Sequence, residues 1–400
     1  MVYLITIIFL CVFIFVFDLG NGSKKNADTC YKLMLFWFIA LSGFAYNVGS
    51  DTVAYMEEYE VAKWSYIHNL RDFLEFENSR QPGWLLLEFI CRSISSNFVF
   101  FKLIIAGFCN WAVFRFIKKH SSFPFIAVLF YGLVFALHLN FNALRQFIAV
   151  GFFLIGYDFL IERKWLKYYF FVFLAYMFHS SALICIFFPL LFPLKLNKIR
   201  VVLLSIVFLI GSFILLSLDM TKLIGTFLLS NEELLTEALM AQGELYLGDK
   251  VDGVTWSIFG MIRIAFFVGV YLFILLIYLP KEKTRDLDCS MYLVFVLFYV
   301  LNFCIPIVFF RFLFYVQPFF VCLLPGAVIK FANKIYAPNT LKPIIVFFML
   351  VLLSIEPISN LYSVSDRRDV PLIVQYNPYY SVFNPKIDPV RSKYFGSYRK

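Results

Sequence analysis

The chain has 400 residues, of which 62% are hydrophobic, 21% aromatic and only 15% charged, and its mean hydropathy is +0.80; a soluble domain carries roughly 45–50% apolar and 25% charged residues, so a soluble protein is excluded. Uncharged runs of 16 or more residues call for helices in lipid, and the absence of period-two alternation excludes a transmembrane barrel. The net charge of +9 resides in Lys and Arg of short loops, a mark of membrane orientation; with no arginine stripe interleaved with aromatics, nucleic acid is not an expected partner.

The fold class expected is all-α, a polytopic membrane helix bundle of about 11–12 segments. Membrane helices are predicted over Val2 to Phe17, Tyr31 to Tyr46, Phe98 to Phe116, Phe123 to Phe141, Phe147 to Ile161, Val201 to Leu218, Trp256 to Leu279, Met291 to Phe310, Phe312 to Ile329 and Pro343 to Ser359. The first run has no basic leader and no small-residue cleavage site after it, so it is expected to stay as a helix. The eight cysteines stand singly, mostly in apolar runs with no CxxC pair, and read as small core hydrophobes.

The run Tyr168 to Leu194 is settled by charge. Five linkers, starting near Lys24, Arg115, Arg163, Lys281 and Lys330, each hold three basic residues, and a sixth holds Lys195, Lys198 and Arg200. A single crossing of Tyr168 to Leu194 would put some of these clusters outside. A re-entrant hairpin turning at His179-Ser180-Ser181 keeps all six, 18 basic residues, in the cytoplasm. Each arm is then short of the ~30 Å hydrocarbon core, so the turn must sit in protein or in a wet cavity.

The membrane domain is thus expected over 1–359, with outer segments at 47–97 and 219–255, followed by a tail at 360–400. The first outer segment ends in an amphipathic stretch from Trp84 to Ile94 that reads as an interfacial helix. The second is acidic, with Asn231 to Met240 a candidate surface helix. The tail is placed outside despite its seven basic residues.

Ionisable groups in or beside membrane helices are costly and face cavities, partners or substrate. Arg145 lies in an outer turn that enters a helix; it reads as a guanidinium fork for phosphate or carboxylate, or as a snorkelling interface arginine. His179, at the hairpin apex, reads as a general base or hydrogen-bond donor in a wet cavity, or as a core histidine. Arg311, between two apolar runs, offers a second anion contact with Tyr315 one turn on, or marks a membrane boundary. Arg263, seven residues into its run, should face the interior. Asp51 and Arg80 lie in the first outer segment, where sugar binding competes with simple turn formation; Tyr55, Tyr59, Trp64, Tyr66 and Trp84 supply aromatic surface there. No P-loop, GxSxG, HExxH or GxGxxG context is present, and no metal or cofactor is expected.

Four motifs in order resemble one family. They are Val48-Gly49-Ser50-Asp51-Thr52 with Tyr55; Arg145-Gln146-Phe147-Ile148-Ala149; Ala175-Tyr176-Met177-Phe178-His179-Ser180-Ser181-Ala182-Leu183 after Lys164 to Lys167; and Arg311-Phe312-Leu313-Phe314-Tyr315 with Pro325. Together they resemble the EpsG-type exopolysaccharide polymerases, relatives of Wzy-type O-antigen polymerases. The chain departs from that pattern in having Gln81-Pro82-Gly83 where the family often shows Glu-Pro or Glu-Gly.

The resemblance implies a multi-pass glycosyltransferase of the bacterial cytoplasmic membrane. Such an enzyme polymerises oligosaccharide repeats carried on undecaprenyl pyrophosphate at the outer face, beside other polysaccharide-assembly membrane proteins. His179, Arg145 and Arg311 would be catalytic; Asp51, Arg80, Arg263, Tyr315 and Gln146 would bind substrate. A lipid-linked oligosaccharide flippase and a membrane sugar O-acyltransferase are the rival readings.

Overall fold

The computed structural model describes residues 1–60, 80–217, 258–279, 286–335, 338, 341–363 and 370–396. Described residues form helices, with β-structure limited to isolated bridges. The chain divides into two compact units, 1–186 with 332–400, and 187–331.

In the first unit, α1 (Val2–Phe13, continuing as a π turn to Asp18), α2 (Lys24–Gly43), α3 (Ser50–Glu60), α4 (Pro82–Ile94), α5 (Phe98–His120), α6 (Pro124–Phe141), α7 (Leu144–Ile161), α8 (Trp165–Tyr176) and α13 (Lys342–Tyr362) surround an aromatic core. Local signals set their starts: Ser23 and Asn97 cap α2 and α5, and Pro82 and Pro124 open α4 and α6. Of the helices in this unit, α5, α6, α7 and α13 are long and apolar enough to cross a membrane. Three of their buried polar groups pair with one another. Asn110, Tyr131 and Asn140 close a ring of hydrogen bonds at 2.8–3.0 Å.

The two ends of this unit differ in chemistry. At one end Lys118 pairs with Asp28 and Lys119 with Asp158, and Asp18 accepts from the Ile126 amide. These are the starts and ends of helices flanked by the basic linkers. At the opposite end lie Tyr3, the Ala45–Gly49 turn, Asn142 and the tail. Gly49 has φ +83, and a Cβ there would stand 1.8 Å from the Phe141 carbonyl, so no other residue fits the close approach.

The tail is built into this second end. Gln375 and Tyr376 accept from Asn142, and Tyr379 donates to Leu41. Arg391, fully buried, donates to the carbonyls of Val374, Asn47 and Pro378. Its charge therefore serves a structural contact. An impermeant maleimide applied to intact cells is expected to label a cysteine at Lys386 but not one at Lys118; the reverse pattern would invert the orientation read from the basic linkers.

The hairpin is present. Tyr168 Oη donates to the Cys185 carbonyl at 2.5 Å; in one continuous helix those residues would stand roughly 25 Å apart along the axis. The chain turns at 177–179 and returns as the 3₁₀ helix Ser180–Leu191, with α8 packed along α7 through Phe171 on Phe152 and Phe159.

The second unit comprises α9 (Lys198–Ser217), α10 (Ile258–Tyr278), α11 (Asp286–Cys304) and most of α12 (Pro306–Lys334), joined by a cluster of Tyr271, Phe295 and Phe320. Two expectations are corrected here. The break between the last two apolar runs lies at Pro306, because proline donates no N–H and opens a helix readily; Arg311 is therefore inside α12, not between runs. Arg263, expected to face the interior, is exposed on α10. The acidic segment 219–255, with its candidate helix, and the aromatics Trp64 and Tyr66 lie outside the described residues.

Candidate functional site

Arg145 occupies the second position of α7, where unpaired helical amides favour an anion. Its half-buried side chain donates through Nε to Tyr55 Oη at 3.0 Å and through Nη1 to Gln81 Oε1 at 2.5 Å. The segment between α2 and α5 is thus drawn over the helix start from both sides. Tyr55 comes from α3, and Gln81 from the residue that caps α4.

Arg80 reaches the same place. Its guanidinium lies 5.2 Å from the Tyr55 ring centroid and that of Arg145 5.7 Å, two cations over one aromatic ring. Arg80 also pairs with Glu58. The arginine that the fold brings beside Arg145 is therefore Arg80; Arg311 and the buried Tyr315 belong to the second unit. Asp51 sits exposed in the first turn of α3, one turn before Tyr55.

The next residue of α7 leads to the hairpin apex. Gln146 Nε2 donates to Ser181 Oγ at 3.5 Å, and Ser181 Oγ lies 2.7 Å from His179 Nδ1. The serine hydroxyl is able to donate to the imidazole while its oxygen accepts from Gln146. The Ser181 amide also donates to Nδ1, at 3.2 Å. Both contacts make Nδ1 an acceptor, so the network assigns the neutral ring a proton on Nε2. In that tautomer His179 presents a hydrogen-bond donor to its surroundings.

A backbone contact fixes the two halves together: the Gly83 amide donates to the Met177 carbonyl at 2.8 Å. A Cβ at Gly83 would lie 2.7 Å from that carbonyl oxygen. Gly83→Ala is therefore expected to push the start of α4 off the His179 turn. Loss of protection at the 83 amide by hydrogen exchange, with the long helices unaffected, would register it.

Three participants escaped the sequence reading: Gln81, Glu58 and Glu88. Glu88 is buried on the apolar stripe Trp84, Leu85, Glu88, Cys91 of α4. Burial, and then the negative charge of Glu58, push its carboxyl up to about 8, against the pull of Arg80. It is mainly protonated at neutral pH. Since its folded value lies above the ordinary carboxyl range, its contribution to stability is full below about pH 4.5 and is lost as pH rises through 8. Glu88→Gln is expected to flatten the pH dependence of thermal stability between pH 5 and 9 and to raise it most at the alkaline end; an unchanged slope would deny the buried neutral acid.

Among the described residues, no group of three His, Cys, Asp or Glu is placed to hold a metal ion. What the cluster offers is a guanidinium fork at a helix start, a second arginine, and an imidazole N–H oriented through a serine and a glutamine. Such an array stabilises negative charge developing on an oxyanion. Compared with known proteins, the chain matches the model described as the EpsG family over residues 28–366. No curated protein and no solved structure matches it.

Proposed function

The chain belongs to the EpsG family, and on that premise we propose that it is a polysaccharide polymerase: a membrane glycosyltransferase that joins oligosaccharide repeats carried on undecaprenyl pyrophosphate. In this reaction an acceptor hydroxyl attacks the anomeric carbon of the donor sugar, a C–O bond forms there, and the bond to pyrophosphate breaks. The hydroxyl proton passes to water, and the lipid pyrophosphate leaves with an added negative charge. The observation that carries the reading is the pairing of the Arg145 fork with the imidazole of His179 through adjacent residues of α7.

The chemistry divides between them as follows. Arg145, with Arg80 beside it, binds the pyrophosphate; fixed charge at a helix start gains most as the leaving group becomes more anionic. His179 donates from Nε2 to an oxygen of the leaving group or of the reacting sugar. Asp51, exposed in the first turn of α3, takes part in sugar binding, and Arg311, Tyr315 and Arg263 are kept as candidate substrate residues within the second unit. The basic linkers support an orientation with this site at the outer face of the bacterial cytoplasmic membrane.

Glycan from a deletion strain tests the function. Single repeats accumulating on lipid carrier at the outer face, with long polymer restored by the gene, fit a polymerase. Repeats retained at the inner face would sink the reading.

A further inference from the structure

Helix α3 has two working faces. Tyr55 and Glu58 turn toward the arginine cluster, while Thr52, Met56 and Glu60, four residues apart in turn, line a cavity of about 300 Å³ on another face. The volume is at the lower end of small-molecule sites. Phe98 and Asn97, where α5 begins, form its next wall, and the tail contributes Val382.

Lys102, one turn inside α5, lines this cavity and is 2% exposed. Its Nζ donates to the Ala45 carbonyl at 3.1 Å and stands 5.7 Å from the Phe141 ring centroid. An ammonium carries three donors. A carbonyl and a ring face do not supply the full counter-charge that a buried ammonium requires, and among the described residues no carboxylate lies within ion-pair reach of Lys102. A ligand entering here is met at the bottom by a buried lysine amine with no carboxylate partner, and by one carboxylate, Glu60, in the wall.

We propose that this cavity is a subsite for one acidic sugar, holding the carboxylate of a uronate-type ring on Lys102. A singly charged carboxylate is favoured over phosphate because Glu60 repels a second negative charge. Thr52, whose hydroxyl is spent on the Phe141 carbonyl, keeps lone pairs for a sugar O–H. Met56 and Phe98 offer the apolar surface on which the C–H face of a pyranose rests. One helix thus separates the reacting pyrophosphate from a neighbouring residue of the same glycan. That placement rests on the polymerase reading above; the binding itself does not.

The test uses the purified full-length protein in lipid nanodiscs and saturation-transfer NMR with sodium D-glucuronate, D-glucose, acetate and phosphate. Glucuronate is expected to bind at least 10-fold more tightly than glucose, and acetate or phosphate to displace it poorly. Lys102→Met should erase the preference. Val99→Trp, which fills the cavity from α5 and keeps Lys102 in the sequence, should remove binding of both sugars, and it decides the matter if the Lys102 variant does not fold. Equal binding of glucose, displacement by acetate or phosphate at equal concentration, or glucuronate binding that survives Val99→Trp would overturn the proposal. Because no turnover is measured, a negative result here leaves the polymerase reading standing, and a failed polymerase assay leaves this result standing.

Discussion

Arg145→Ala is expected to lower polymer formation about 10²- to 10³-fold at unchanged protein level, the cost of removing one preorganised donor from a developing oxyanion. Arg145→Lys should recover little of it. The native fork spends Nε on Tyr55 and one Nη1 hydrogen on Gln81, and still has Nη2 to offer, among the described residues, to a bound anion. A lysine ammonium is a point charge without that fixed geometry, so it cannot hold both anchors and a phosphate oxygen together. Tyr55→Phe and Gln81→Ala each loosen one anchor and should cost only about 10-fold, since the charge remains. The measurement is the initial rate of chain extension on lipid-linked repeats in membranes with matched protein. Near-normal extension by the lysine variant would mean that Arg145 acts as a simple interface cation, and the anion site would have to be sought elsewhere.

How much of this was legible beforehand depended on whether a signal was local. The apolar runs and their basic linkers gave the helices of the first unit, and the count of Lys and Arg alone distinguished a hairpin at His179 from a single crossing; the Tyr168 contact with Cys185 bears that out. Arg145 and His179 stood out because each is an expensive residue in an apolar context. Their connection did not, because it runs through Gln146 and Ser181, whose pairing requires the hairpin to return to the start of α7. Gln81 and Glu58 reach the arginines only after the segment between α2 and α5 folds over the helix ends, a contact with no sequence period. Glu88 did leave a trace, as an acid at i+4 from Trp84 on the buried face of an amphipathic helix. The position of Arg311 is not legible from the sequence because apolar residues run through the helix break at Pro306, leaving the arginine as the one charged interruption of the run. One of the tail's seven basic residues, Arg391, is consumed by three backbone carbonyls, so a count of basic residues overstates the charge the tail has free to orient it.

His179 separates two roles that composition left equal. A general base needs its outward nitrogen unprotonated, whereas the two contacts to Nδ1 assign the neutral ring an Nε2 proton. The side chain is therefore a donor, and its variants should rank by donor capacity. His179→Ala is expected to lower extension about 10²- to 10³-fold, the scale for losing one such hydrogen bond in a transition state. His179→Gln can place an amide N–H where Nε2–H stood and should keep at least a tenth of the native rate, although it cannot accept a proton at neutral pH. Ser181→Ala removes the hydroxyl that helps set the tautomer and should cost an intermediate amount while leaving substrate affinity nearly unchanged. The imidazole also accepts the Ser181 amide at the start of the 3₁₀ helix, so a structural role has its own signature: loss of the Ala variant from the membrane, and recovery when a different capping residue such as Asn is supplied. A Gln variant as inactive as Ala, at native abundance, would restore the base and overturn the tautomer assigned here.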